Sequence, residues 1–275
     1  MVEIMTGKDT VNPQLSVKKK LPKRRIAFIV ILAVVLVLAF TWAVFTDVII
    51  LRKTEDMEGA ENSTSILFVG TSDVFVGNLP QQLQAIARTH NVHITYKDIS
   101  RHANRGGTLR EHRENAINEM QSGRFDYVVF QDDQIRNDME GFLDDVRLLS
   151  DEARKNGVIP VLFNSACAFD QEHLNMNTAS YKQAADEADT ILVNAADAWV
   201  YAYPKIPGIS LITRFDPRGP HPSKAGGFLT ACVFAATLFD LHIEEIPKDS
   251  LYKGNDAVDL AQVAWEFVNP LHEDG

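Results

Sequence analysis

The sequence predicts an α/β domain, a three-layer sandwich on a five-stranded parallel sheet, preceded by one N-terminal transmembrane helix. Two patterns carry that expectation. One is an unbroken apolar run over residues 26–45; the other is a regular alternation, beyond residue 64, of short apolar runs with stretches of helical period.

The basic segment comes first. Residues 1–25 hold seven Lys or Arg against Glu3 and Asp9, a local charge of +5, which leaves −15 on the remainder of a chain whose total is −10. An acidic body repels phosphate backbones, and no basic stripe with interleaved aromatics is present, so nucleic-acid binding is excluded as a function class. The run IAFIVILAVVLVLAFTWAVF follows. Twenty residues at ~1.5 Å rise span the ~30 Å apolar core of a bilayer. A buried helix would show a polar face over five turns, and a cleavable signal would be shorter and end in a small-residue cleavage site, which AVFTDVII does not supply. Six basic residues between Lys18 and Arg25 place the N-terminus in the cytoplasm and the rest of the chain outside the cell membrane. Residues 46–64 read as a tether, polar and Gly-containing from Thr54 on, and residues 65–275 as the folded domain.

Strands are expected at 65–69 (SILFV), 92–99, 127–130 (YVVF), 159–163 and 190–193 (TILV). Helices are expected at 79–88, 109–121, 141–155, 181–188, 225–239 and 257–267. In such sheets ligands sit beyond the carboxyl ends of the strands. Immediately after the first strand comes Gly70-Thr71-Ser72-Asp73. Ser72 would either cap the next helix or act as a nucleophile near its free N–H groups. The lipase elbow is absent because Val74 replaces its second glycine, and no P-loop lysine follows. The second reactive group is His221, held between Pro220 and Pro222 in a loop that also carries Asp216, Arg218 and Gly219. A serine hydroxyl needs a base, and the base needs an acceptor to orient it. Cys167 and Cys232 would either pair or lie buried as small apolar groups.

The blocks GTSDVFVGNLP, RGGTLREH, DYVVFQDDQ and HPSKAGGFLTACVF, in this order and spacing, resemble the SGNH (GDSL-like) hydrolase superfamily, particularly bacterial members with a Gly-Asn-Ser first block and a His-Pro-Ser last block. The resemblance covers about residues 65–240. It implies a flavodoxin-like fold, Ser72 as nucleophile and His221 as general base. It also implies an oxyanion hole from the Ser72 N–H, the N–H of Gly107 (or Gly106) and the side chain of Gln131, where many members have Asn. The sequence departs from the family at three places. Thr71 replaces the Asn of the first block; Asp73 sits beside the nucleophile, where a carboxylate disfavours an oxyanion unless it points to solvent; and Arg218 stands where the acid is usual, so Asp216 completes a triad only if the segment 217–220 bulges. A Ser–His dyad is the alternative. The implied activity is hydrolysis of a small-molecule or carbohydrate ester of the cell envelope, by removal of an acetyl or short acyl group, with no metal or cofactor called for. Acyl transfer, a catalytically inactive binding protein and a lipid esterase are the competing readings. The sequence leaves the oligomeric state open.

Overall fold

The computed structural model describes residues 63–100, 108–133, 135, 137–166, 170–213 and 220–270. Strands β1 (Ser63–Val69), β2 (His93–Asp98), β3 (Tyr127–Phe130), β4 (Ile159–Asn164) and β5 (Ile191–Asn194) form one sheet in the order β2-β1-β3-β4-β5. Every pairing is parallel. β1 begins two residues earlier than expected, because Ser63 and Thr64 extend the ladder onto His93 and Ile94 instead of ending the tether.

Strand residues alternate between two apolar cores, the arrangement a parallel sheet buried on both faces requires. Ile66, Phe68, Val129, Val161, Phe163 and Val193 face one core. Leu67, Val69, Val128, Phe130 and Leu162 face the other. Helices α2 (Leu79–Thr89), α6 (Ala195–Lys205), α7 (Lys224–Phe239) and α8 (Ala257–Val268) cover the first face. Helices α3 (Leu109–Met120), α4 (Met139–Lys155) and α5 (Gln171–Ala188) cover the second. α7 is apolar around most of its circumference, and twelve of its residues are buried, as expected of a helix surrounded on all sides. Its Cys232 is a buried free thiol; Cys167 lies outside the described residues.

Besides a short unexpected helix at Ser72–Val76, two helices differ from expectation. α5 starts at Gln171, ten residues before the predicted Tyr181, because the Asp170 carboxylate accepts the His173 N–H (2.7 Å) and caps a first half poor in apolar residues. α6 was not predicted at all. The side chain of Asn194, at the end of β5, caps it by accepting from the Asp197 N–H at 3.3 Å. Among the described residues no helix is long and apolar enough to cross a membrane; the predicted span at 26–45 and most of the tether lie outside them.

The connection leaving β1 packs on one face and that leaving β2 on the other, so the chain changes face between β1 and β3. The crevice outside the carboxyl ends of those strands is where an open α/β sheet accommodates a ligand.

Candidate active site

After Val69, Gly70 and the extended Thr71 carry the chain out of the sheet, and Ser72 is the first residue of a short helix, α1 (Ser72–Val76). Ser72 is half-buried. Its Oγ lies 3.1 Å from Nε2 of His221, 149 positions later in the chain. With the imidazole neutral and Nε2 unprotonated, the serine hydroxyl donates to it, which is the geometry of a nucleophile paired with its base.

His221 owes its position to a small hairpin. β6 (Ile212–Thr213) pairs antiparallel with β7 (His221–Pro222). Thr213 Oγ1 donates to the His221 carbonyl at 3.0 Å, and the Ser223 N–H donates to the Leu211 carbonyl at 2.8 Å. Ser223 then caps α7, accepting the Gly226 N–H at 3.1 Å while its hydroxyl donates to the Ser210 carbonyl. Two glycines let the histidine and serine segments meet. A Cβ on Gly77 would lie 3.0 Å from both the Gly227 Cα and the Pro222 Cβ, and one on Gly227 would collide with the Gly77 carbonyl. That carbonyl accepts from the buried Gln82 Nε2 at 2.8 Å.

Gln131, at the end of β3, turns inward and is 1% exposed. Its Oε1 accepts from both the backbone N–H (2.7 Å) and the hydroxyl (2.8 Å) of Thr71. A backbone N–H can only donate, so the amide oxygen must face Thr71, and Nε2 is the end left to donate elsewhere. The departures at Thr71 and Gln131 are therefore partners. Gly70 makes room for them, since a Cβ there would lie 2.8 Å from Oε1.

Asp132 extends this frame. Its carboxylate accepts the Leu109 N–H at 2.7 Å, tying down the first turn of α3, and its backbone N–H donates to the Tyr181 hydroxyl at 2.7 Å. The Tyr181 hydroxyl donates in turn to the Asp132 carbonyl at 2.9 Å. Burial, followed by the neighbouring Asp132, pushes the Tyr181 phenol well above its ordinary range, so it remains a neutral donor.

Asp73 does not point into solvent. It is 6% exposed and accepts from the Ser165 hydroxyl at the end of β4. A carboxylate beside the nucleophile is thus turned into the protein and hydrogen-bonded, which lowers the cost of its burial. Ser165, Asp132, Tyr181, Gly77 and Gly227 were not singled out from sequence. Ser165 stands just past β4, as Ser72 does past β1, and that placement was the signal available for it. Asp216, Arg218, Gly106 and Gly107 lie outside the described residues.

The α/β sheet thus carries a hydroxyl–imidazole pair at its switch point, an arrangement capable of nucleophilic attack. No family model and no curated protein sequence matches the chain. Solved structures do. A DUF4886 family protein from Bacteroides uniformis is similar over 77% of this chain and 96% of its own, at 13% identity and a TM-score of 0.61. An SGNH-hydrolase-type protein from Slackia heliotrinireducens matches 64% of this chain and all of its own, with 23% identity and a TM-score of 0.49. An acetylxylan esterase from Geobacillus stearothermophilus matches 65% of this chain and 96% of its own, with 18% identity and a TM-score of 0.48. The chain shares its fold with the DUF4886 family protein over most of both chains.

Proposed function

We propose that this protein is a membrane-anchored, extracytoplasmic serine esterase that removes acetyl or other short acyl groups from a cell-envelope carbohydrate. The 3.1 Å approach of Ser72 Oγ to His221 Nε2 across the switch point carries the esterase reading. His221 takes the hydroxyl proton as Ser72 attacks the ester carbon, then returns it to the departing alcohol; water repeats the sequence to release the acid. The N–H of Ser72, the Nε2 of Gln131 and the N–H of Gly107 are the donors assigned to the oxyanion. Asp216 is the acceptor assigned to the other ring nitrogen of His221. The carbohydrate substrate and the extracytoplasmic location rest on the sequence resemblance and on the apolar run at 26–45.

A fluorophosphonate probe tests the chemistry. The full chain should gain one adduct on Ser72, Ser72→Ala should gain none, and His221→Ala should slow labelling by about 10³-fold or more. Folded wild-type protein that fails to label would instead make it a binding protein that kept the fold.

A further inference from the structure

A second concave feature has neither Ser72 nor His221 in its lining. It is a cavity of about 190 Å³ over the carboxyl ends of β4 and β5. Ala166 and Ala196 line its inner side, the first turn of α5 contributes Asp170, Gln171 and Leu174, and α6 contributes Trp199, Val200 and Tyr203.

Its walls adjoin both halves of the catalytic pair. Ala166 follows Ser165, whose hydroxyl is bonded to Asp73, the neighbour of Ser72. Ile212, also lining the cavity, pairs with Pro222, the neighbour of His221. Strands spaced at ~4.8 Å place the tips of β4 and β5 about 10 to 14 Å from that of β1. A group attached to the departing alcohol reaches that far, whereas an acetyl group held at Ser72 does not. The side also fits the leaving group, because the residue that returns a proton to the departing oxygen is His221, and the cavity wall is the strand paired with it.

The lining selects a chemistry. Drug-sized ligands occupy ~300 to 1,000 Å³, so this space suits a single ring. Val200 and Tyr203, one turn apart on α6, are 48% and 42% exposed, an apolar and aromatic rim where helix surfaces are usually polar. A carboxylate and an amide also line it at the start of α5: Asp170, whose Oδ1 caps the helix, and Gln171, whose Nε2 donates to Asn175 Oδ1 at 2.8 Å. Aromatic and aliphatic faces with hydrogen-bonding groups at the edge match a sugar, which has apolar C–H faces and an equatorial belt of hydroxyls. A pocket for a long acyl chain would have no use for the carboxylate.

We infer that this cavity is a subsite for the sugar ring next to the one that bears the ester, so that the protein acts on an acylated oligosaccharide in preference to an acylated monosaccharide. The inference rests on the esterase reading and deepens it.

The test compares an O-acetylated disaccharide with 4-nitrophenyl acetate, using the full chain, Tyr203→Ala and Gln171→Ala; both positions are at the surface and neither belongs to the catalytic pair. Tyr203→Ala is expected to lower kcat/KM for the disaccharide ester about 10-fold, mostly through KM, and Gln171→Ala to lower it by a smaller factor, with 4-nitrophenyl acetate unchanged. Equal losses on the two esters, or none on either, would overturn the subsite. Should wild-type protein hydrolyse neither ester, the esterase reading fails, and the subsite is decided by binding of the unacetylated disaccharide in saturation-transfer NMR. A signal weakened by Tyr203→Ala supports it, and an absent or unaltered signal refutes it.

Discussion

The two ends of the sheet are built on opposite terms. At the amino ends, Ile159 and Ile191 are exposed apolar residues, and the polar contacts of that edge, such as the Ser65 N–H and hydroxyl to Asp126, stand in solvent. At the carboxyl ends, Thr71, Asp73, Gln131, Asp132, Asn164, Ser165 and His221 are all buried. Burying a polar group costs free energy unless a partner replaces water. The site meets that cost through mutual bonds, Thr71 to Gln131, Ser165 to Asp73, and Asp132 to the first turn of α3. A chain selected for stability alone would fill this region with apolar side chains; the bonded polar layer is retained at the edge that holds the Ser72–His221 pair.

The contrast is broken most severely at Gln131. Gln131→Leu keeps roughly the volume but removes both the acceptor for Thr71 and the proposed oxyanion donor, and is expected to lower kcat for ester hydrolysis about 10² to 10³-fold with KM little changed. An unchanged kcat would leave Gln131 a purely structural amide. Next comes Gly227→Ala, whose methyl group would collide with the Gly77 carbonyl and drive the serine and histidine segments apart. Displacement of a catalytic pair by about 1 Å costs about 10²-fold, read as a slower phosphonate labelling rate on protein that keeps its circular dichroism spectrum. A Val146→Ala variant, destabilised in the other core, should label at the wild-type rate.

A smaller effect comes from pH. Burial pushes the Cys232 thiol up and, as the first cause, raises Tyr181 and Tyr252, the last to about 12. A group whose folded pKa is raised supports the native state below its unfolded value and loses that support as pH climbs past it. Stability in urea should therefore begin to fall above about pH 8.5, at up to ~1.4 kcal/mol per pH unit for each of the fully buried Cys232 and Tyr181 and by less for the partly buried Tyr252. Cys232→Ala should flatten the first part of that fall. The smallest effect belongs to the surface. The Lys97 to Glu119 pair is partly exposed, so Lys97→Ala should change the unfolding free energy by less than about 1 kcal/mol and activity not at all.

The sequence by itself determined the five strands, most of the helices and the two residues that meet at the site. Apolar spacing is a local signal, and serine after a strand or histidine between prolines is visible without knowing what faces it. Where the local signal was weak the reading was short. The first half of α5, QEHLNMNTAS, lacks an apolar face, and α6, AADAWVYAYPK, mixes aromatics with a proline; the caps at Asp170 and Asn194 are the local signals that mark where they start. Tertiary structure alone decided that Asp73 turns inward to Ser165, that Thr71 and Gln131 complement each other, and that Gly77 and Gly227 bring two distant segments into contact. Each of those depends on which strand lies beside which and at what register. The pairing of β1 with β3 and the contact of Ser72 with His221 set that geometry, and no local pattern encodes contacts across such separations.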